Sequence, residues 1–212
     1  MSLLRASATI GFLTLISRIF GFVRDMMIAS FLGAGMYSDA FFVAFKIPNF
    51  MRRLFAEGAF NSAFLPLYAG TVAVEGREKA KILAEEIHAV LVTILLVITI
   101  LAIIFMPSLM VVLAPGFDKD PAKYDLAVTL TRITFPYILF ISLVSLQGGL
   151  LNSIDKFAAV AATPIIMNIC LIIAMVAVVK FVPTPAHALA IGVMFSGITQ
   201  YIWLLYFCRK AG

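Results

Sequence analysis

Of 212 residues, 63% are hydrophobic and only 13% are charged, with a formal net charge of +5. A soluble domain carries roughly 45–50% apolar and about 25% charged residues, so a soluble fold is excluded. Long continuous apolar runs, rather than ten-residue alternating segments, point to an all-α integral membrane protein. The positive balance does not indicate a nucleic-acid partner, because the basic residues lie within apolar helices and their flanks.

Six spanning helices fit in chain order, at 7–32, 36–70, 83–114, 123–152, 158–182 and 187–208. A span needs about 20 residues, so the whole chain is expected to form one six-helix bundle. The first helix carries Ser17, Arg18, Gly21, Arg24 and Asp25 at spacings that place them on one stripe. A Gly33-Ala34-Gly35 turn follows. The second helix carries Asp39, Lys46 and Arg53 seven apart, with Asn49 on the same side and Arg52 beside it. Arg18 and Arg52 lie sixteen and eighteen residues from Ala34, Arg24 and Lys46 ten and twelve. A hairpin closed at Ala34 would stack these cations in two tiers on facing helices.

A charge in the middle of a spanning helix costs about 2.5–3.5 kcal/mol on insertion scales. Several in one hairpin therefore imply a cavity, a partner or a ligand, and arginines suit a phosphate-rich anion. The structural alternative pairs them with Asp25, Asp39 and Glu57. Arg53 and Glu57 stand at i, i+4, where a local salt bridge is the default. Even then, five cations against three acids leave two positive charges unmatched.

Further along, EGREKAKILAEE at 75–86 reads as a solvated amphipathic connection, and GFDKDPAKYD at 116–125 as a polar loop on the opposite side. Pro48, Pro66 and Pro107 are expected kinks, as are Pro136 and Pro164. Arg132 lies inside the fourth helix and either snorkels outward or joins the cavity. Gln147, Gly148, Gly149 and Asn168 are cavity candidates or, more commonly for such residues, packing devices. Cys170 and Cys208 fall in apolar helix and read as small hydrophobes, and the isolated His88 and His187 support neither zinc nor a catalytic dyad. No metal site or cofactor is expected, and no cleavable signal peptide is evident. With the N-terminus inside, cytoplasmic segments hold Arg5, Arg77, Lys79, Lys81, Lys156, Arg209 and Lys210 against Lys119, Lys123 and Lys180 outside. Seven against three places both termini in the cytoplasm.

The run from Ser17 to Tyr68, with FLGAG, SDAFFVAFKIPN and RRLFAEGAF, and the later APGF and TFPYILFISL, closely resembles the MurJ (MviN) family of lipid II flippases. The resemblance covers essentially the whole chain. It implies one lobe of a two-lobed exporter in the bacterial inner membrane, moving a lipid-linked peptidoglycan precursor by alternating access. The family's cavity arginines map onto Arg18, Arg24 and Arg52, and its acidic position at the outer end of helix two onto Asp39. Ser17 and Glu57 also fall within matching motifs. Lipid II and membrane lipids are the implied partners, together with a C-terminal lobe that these six helices lack. Transport would draw on a coupling ion or the membrane potential.

Other functions compete. A cation-coupled exporter of the same superfamily would need an acidic, aromatic cavity rather than excess positive charge. An enzyme acting on a lipid diphosphate would need paired acids or a nucleophile–base spacing, and neither accompanies Asp25 and Asp39. A non-transporting scaffold lobe is the remaining alternative.

Overall fold

The structure is a computed structural model that describes the backbone of residues 3–56 and 59–211, and side chains within 7–53 and 62–211. Ten α-helices follow one another, with no strand among the described residues. They are α1 (Leu3–Leu32), α2 (Met36–Ala56), α3 (Ala59–Glu75), α4 (Arg77–Ile104) and α5 (Met106–Leu113), then α6 (Pro121–Thr134), α7 (Tyr137–Ser153), α8 (Phe157–Ala161), α9 (Thr163–Val176) and α10 (Pro185–Ala211).

The sequence segments map onto these with three changes. The expected second helix, 36–70, is two helices, α2 and α3, the latter running on to Glu75. The third segment starts earlier than expected, because 77–86 is helical and continuous with α4 rather than a separate connection. Only Gly76, at φ +90°, separates α3 from α4. The later segments are broken near their prolines, into α4 and α5 before Pro107, α6 and α7 at Pro136, and α8 and α9 before Pro164. By length and composition four described stretches can cross a membrane: Arg77–Ile104, Pro121–Ser153, Phe157–Val176 and Pro185–Ala211. The helices bearing the basic cluster, α1 and α2, are not among them.

A proline lacks the N–H that the carbonyl four residues earlier would accept. Here other side chains supply the donor. Thr134 Oγ1 donates to the Ala44 carbonyl below Pro48 at 2.9 Å. Arg132 Nε donates to the Ile103 carbonyl below Pro107 at 3.1 Å, and Thr163 Oγ1 to the Val160 carbonyl below Pro164 at 2.8 Å. An unsatisfied carbonyl in hydrocarbon costs several kcal/mol, so these bonds are what allow kinked helices within a membrane. They also settle Arg132, which binds the α4 backbone.

α10 lies at the centre, packed against α7, α9, α6 and α2. Small residues permit the close approach. A Cβ on Gly192 would stand 2.7 Å from Ala174 Cβ, and one on Gly197 2.8 Å from Tyr137 Cδ2. With no water to expel between helices in lipid, such contact and interhelical bonding drive association. Tyr137, Leu130, Leu189 and Leu204 are fully buried in this core. Gln147, Gly148 and Gly149 belong to the buried face of α7. A Cβ on Gly148 would meet Val160 and Leu204, which places this glycine in the packing.

Candidate functional site

The corner between α1 and α2 forms as its glycines demand. Gly33 and Gly35 take φ +63° and +149°, conformations that suit glycine. Ser38 then closes the start of α2, its hydroxyl donating to the Gly35 carbonyl at 2.8 Å and accepting from the Gly35 N–H at 3.1 Å.

Beyond that corner the helices take different partners. α1 packs against α9, α8 and α10, whereas α2 packs against α6, α7 and α10. The closed hairpin expected from the sequence, with cations tiered on two packed helices, is therefore replaced by two basic strips on separately anchored helices. The reason lies in where the small-residue faces point. α2 buries Ala40 and Ala44 completely, and Gly21 of α1 lies beside Asn168 of α9. Each helix has its smooth face toward a later element.

On α1, Arg24 is held on two sides. Its Nε and Nη2 donate to Asp25 Oδ1 at 3.0 and 2.7 Å, and its Nη1 to Asn168 Oδ1 at 2.7 Å. Asn168 Nδ2 in turn donates to the Ser17 carbonyl at 2.9 Å. Both amide orientations thus follow from their neighbours, an arginine donor on one side and a carbonyl acceptor on the other. The Arg24 side chain is 22% exposed and Asp25 65%. Arg18, two turns nearer the N-terminus, is exposed.

On α2, Arg52 is half-buried and donates through Nε and Nη2 to Asn49 Oδ1 at 3.3 and 2.9 Å. Lys46 and Arg53 line an open groove of about 510 Å³ whose walls include Phe42, Phe45, Phe50 and Leu113. Ammonium and guanidinium groups with no carboxylate partner among the described residues, set between aromatic walls, suit an amphiphile with an anionic head. Asp39 pairs with Lys123 of α6 at 2.6 Å, and the Lys123 ammonium also sits 4.4 Å above the Phe117 ring. Glu57 lies outside the described residues, and with it the expected Arg53–Glu57 bridge.

This changes the charge balance. Asp39 is engaged by a lysine from another helix, so it does not offset the α1–α2 cations. Asp25 engages Arg24. Arg18, Lys46, Arg52 and Arg53 have no carboxylate partner among the described residues. Lys123 could not have been found from sequence, because it lies 84 residues from Asp39, in a stretch that reads as a polar loop, and no local spacing links them.

No group of three or more His, Cys, Asp or Glu that could hold a metal occurs among the described residues. Cys170 and Cys208 are free thiols. His187 Nδ1 and Thr184 Oγ1 share a 2.8 Å hydrogen bond at the start of α10, and His88 lies 3.4 Å from the Tyr201 hydroxyl. None of these touches the basic strips.

Comparison with known proteins concerns the chain as a whole. A family model described as the lipid II flippase MurJ matches residues 28–212. A probable lipid II flippase MurJ from Rhizobium tropici is 43% identical over 100% of this chain and 40% of its own length. The lipid II flippase MurJ of Burkholderia cenocepacia is 41% identical over 95% of this chain and 39% of its own. A solved structure, lipid II flippase MurJ in an inward closed conformation, superposes with a TM-score of 0.71 at 27% identity, covering 93% of this chain and 42% of that one. The chain thus spans about 40% of the length of the curated relatives it matches.

Proposed function

The chain belongs to the lipid II flippase MurJ family, and from that premise we propose that α1 and α2 line a cavity through which lipid II crosses the bacterial inner membrane. Arg18, Arg24 and Arg52 bind the diphosphate, and Lys46, Arg53 and the aromatic groove of α2 receive the adjoining part of the lipid. Ser17, Asp25 and Asn49 position the arginines, Asp39 holds the outer end of α2, and Glu57 belongs to the inner end of the same strip. One observation carries this reading: four cations of the two strips lack a carboxylate among the described residues, while Arg24 is fixed from both sides.

The chemistry follows from the geometry. A guanidinium already held by neighbouring acceptors loses little freedom on meeting a phosphate, and its remaining donors are presented in a planar fork. In the low dielectric of a membrane cavity such contacts are stronger than in water. Release to the other leaflet requires the basic strips to change which side they open to. In transporters that is done by two helical bodies rocking about a shared site. A second helical body, completing the cavity opposite α1, is part of this proposal, and so is a coupling ion or the membrane potential as driving force. No covalent step is assigned, and both ends of the chain are placed in the cytoplasm.

The test is lipid II translocation by the protein with its second body present. Arg24→Ala and Arg52→Ala should each weaken diphosphate binding about 10- to 150-fold, the equivalent of a charge-assisted hydrogen bond of ~1.5–3 kcal/mol. Membrane insertion should persist, since removing a charge eases it. Lysine at either position should restore activity only in part, because an ammonium lacks the fork. Alanine variants that translocate lipid II at the unmodified rate would remove the arginines from the mechanism.

A further inference from the structure

Pro48, inside α2, lies directly before the residues that carry its chemistry. Asn49, Arg52 and Arg53 follow within five positions, so the direction in which the inner half of α2 leaves the proline determines where those groups stand. A proline leaves that direction loosely set, because the Ala44 carbonyl has lost its intrahelical donor. The missing donor comes from α6. Thr134 Oγ1 lies 2.9 Å from the Ala44 oxygen, and Thr134 and Ala44 are both 0% exposed, so no water or lipid competes. The alternative acceptor of the same hydroxyl, the Thr131 carbonyl in its own helix, is farther at 3.3 Å. α6 also holds α2 at its outer end, through Lys123 and Asp39 at 2.6 Å.

We propose that Thr134 is a positioning residue: its hydroxyl replaces the donor removed by Pro48 and so fixes the direction of the α2 segment bearing Asn49, Arg52 and Arg53. Its consequence for transport rests on the lipid II reading above, but the placement itself does not. The prediction that separates this from a packing role concerns Pro48. If the hydroxyl serves the orphaned carbonyl, restoring a backbone N–H at position 48 makes it dispensable. Pro48→Ala supplies that N–H, so Thr134→Val should be harmful beside Pro48 and nearly neutral beside alanine.

The experiment reads the segment directly, in a background where Cys170 and Cys208 are replaced by alanine. Spin labels are placed at Phe50 on α2 and Ile202 on α10, both well exposed, and the protein is reconstituted in lipid nanodiscs. Phe50 stands two residues beyond Pro48, a rise of about 3 Å, so a ~20° change of direction at the proline displaces its backbone by about 1 Å. Thr134→Val should shift or broaden the interlabel distance on that scale. Thr134→Ser, which keeps the hydroxyl, should leave it unchanged, and Thr134→Val should add nothing to Pro48→Ala. A Thr134→Val protein that fails to fold, while its Pro48→Ala double variant folds, would support the same coupling. Unchanged distances in Thr134→Val would overturn the proposal. So would an equal change, or equal misfolding, whether residue 48 is proline or alanine. Translocation is measured in parallel: an unmodified protein that moves no lipid II would count against the transport reading alone, since the distances need no substrate.

Discussion

Asn168 of α9 binds Arg24 of α1 at 2.7 Å through its carbonyl oxygen while its amide nitrogen donates to the Ser17 backbone at 2.9 Å. One side chain thus ties a guanidinium to the backbone of the helix that carries it, two turns away. Asn168→Leu should cost roughly 1–2 kcal/mol of stability from the lost bonds and should lower translocation although the Arg24 charge remains. Asn168→Asp should behave differently. An ionised aspartate there would bind Arg24 more strongly and compete with phosphate, so activity should fall further while stability falls less. Activity that tracks detergent-unfolding stability across both variants would make Asn168 a packing residue only.

Gly197 offers a test of the core that leaves the site untouched. Its missing Cβ would stand 2.8 Å from Tyr137 Cδ2 and 3.0 Å from Phe140 Cβ, so Gly197→Ala forces α10 away from α7. Overpacking of this kind costs about 1–3 kcal/mol. Gly11→Ala is the matched control, because nothing lies within 4 Å of that position and alanine favours helix by about 0.5–1 kcal/mol. Opposite shifts in the unfolding midpoint are expected. A Gly197→Ala protein as stable as the unmodified one would show that α7 and α10 adjust freely.

How much of this was legible depended on whether the signal was local. The Gly33–Gly35 corner, the helical class, and the breaks near Pro107, Pro136 and Pro164 all follow from residues acting within one turn of themselves, whereas α2 and α3 run unbroken through Pro48 and Pro66. The basic stripes were visible too, because helical spacing alone puts Arg24 beside Asp25 and Arg52 within reach of Asn49. What could not be read was which helix each stripe leans on. The pairing of α1 with α9 and of α2 with α6 is decided by small-residue surfaces around Gly21, Ala40 and Ala44 meeting elements about 90 to 145 residues away. For the same reason Asp39 was counted against the α1–α2 arginines, when its partner is Lys123. Thr134 gave no signal at all, since a threonine in an apolar helix looks the same whether it bonds its own backbone or a proline-bearing neighbour's.

Orientation in the membrane is checked by cysteine accessibility in intact cells. The loop charges predict the Gly33–Gly35 corner outside and the α3–α4 junction inside. Single cysteines at Gly35, Asp120 and Pro183 should react with an impermeant reagent, and those at Glu78 and Lys156 should not. All five positions are exposed, so a lack of reaction reports sidedness rather than burial. Labelling at Lys156 from outside would invert the inner half of this topology.

Asp39 and Lys123 raise the sharpest functional question, because an acid at the end of α2 proposed above to face outward has two possible uses. It either anchors α2 to α6, or it takes up an ion or a substrate group during transport. With the Asp39 side chain 53% exposed and that of Lys123 23%, the pair itself should contribute no more than about 1 kcal/mol, so neutral variants at either position should still fold. Asp39→Asn and Lys123→Gln are each expected to slow translocation by loosening the outer end of α2. The exchange Asp39→Lys with Lys123→Asp restores opposite charges at the same two sites. It should recover most, though not all, of the rate, because a carboxylate over the Phe117 ring lacks the attraction that the ammonium has there. Recovery is what an anchor predicts. A doubly exchanged protein as slow as Asp39→Asn would mean that the carboxylate is needed at position 39 itself. The Lys123 contact would then be the resting state of a group that works elsewhere in the cycle.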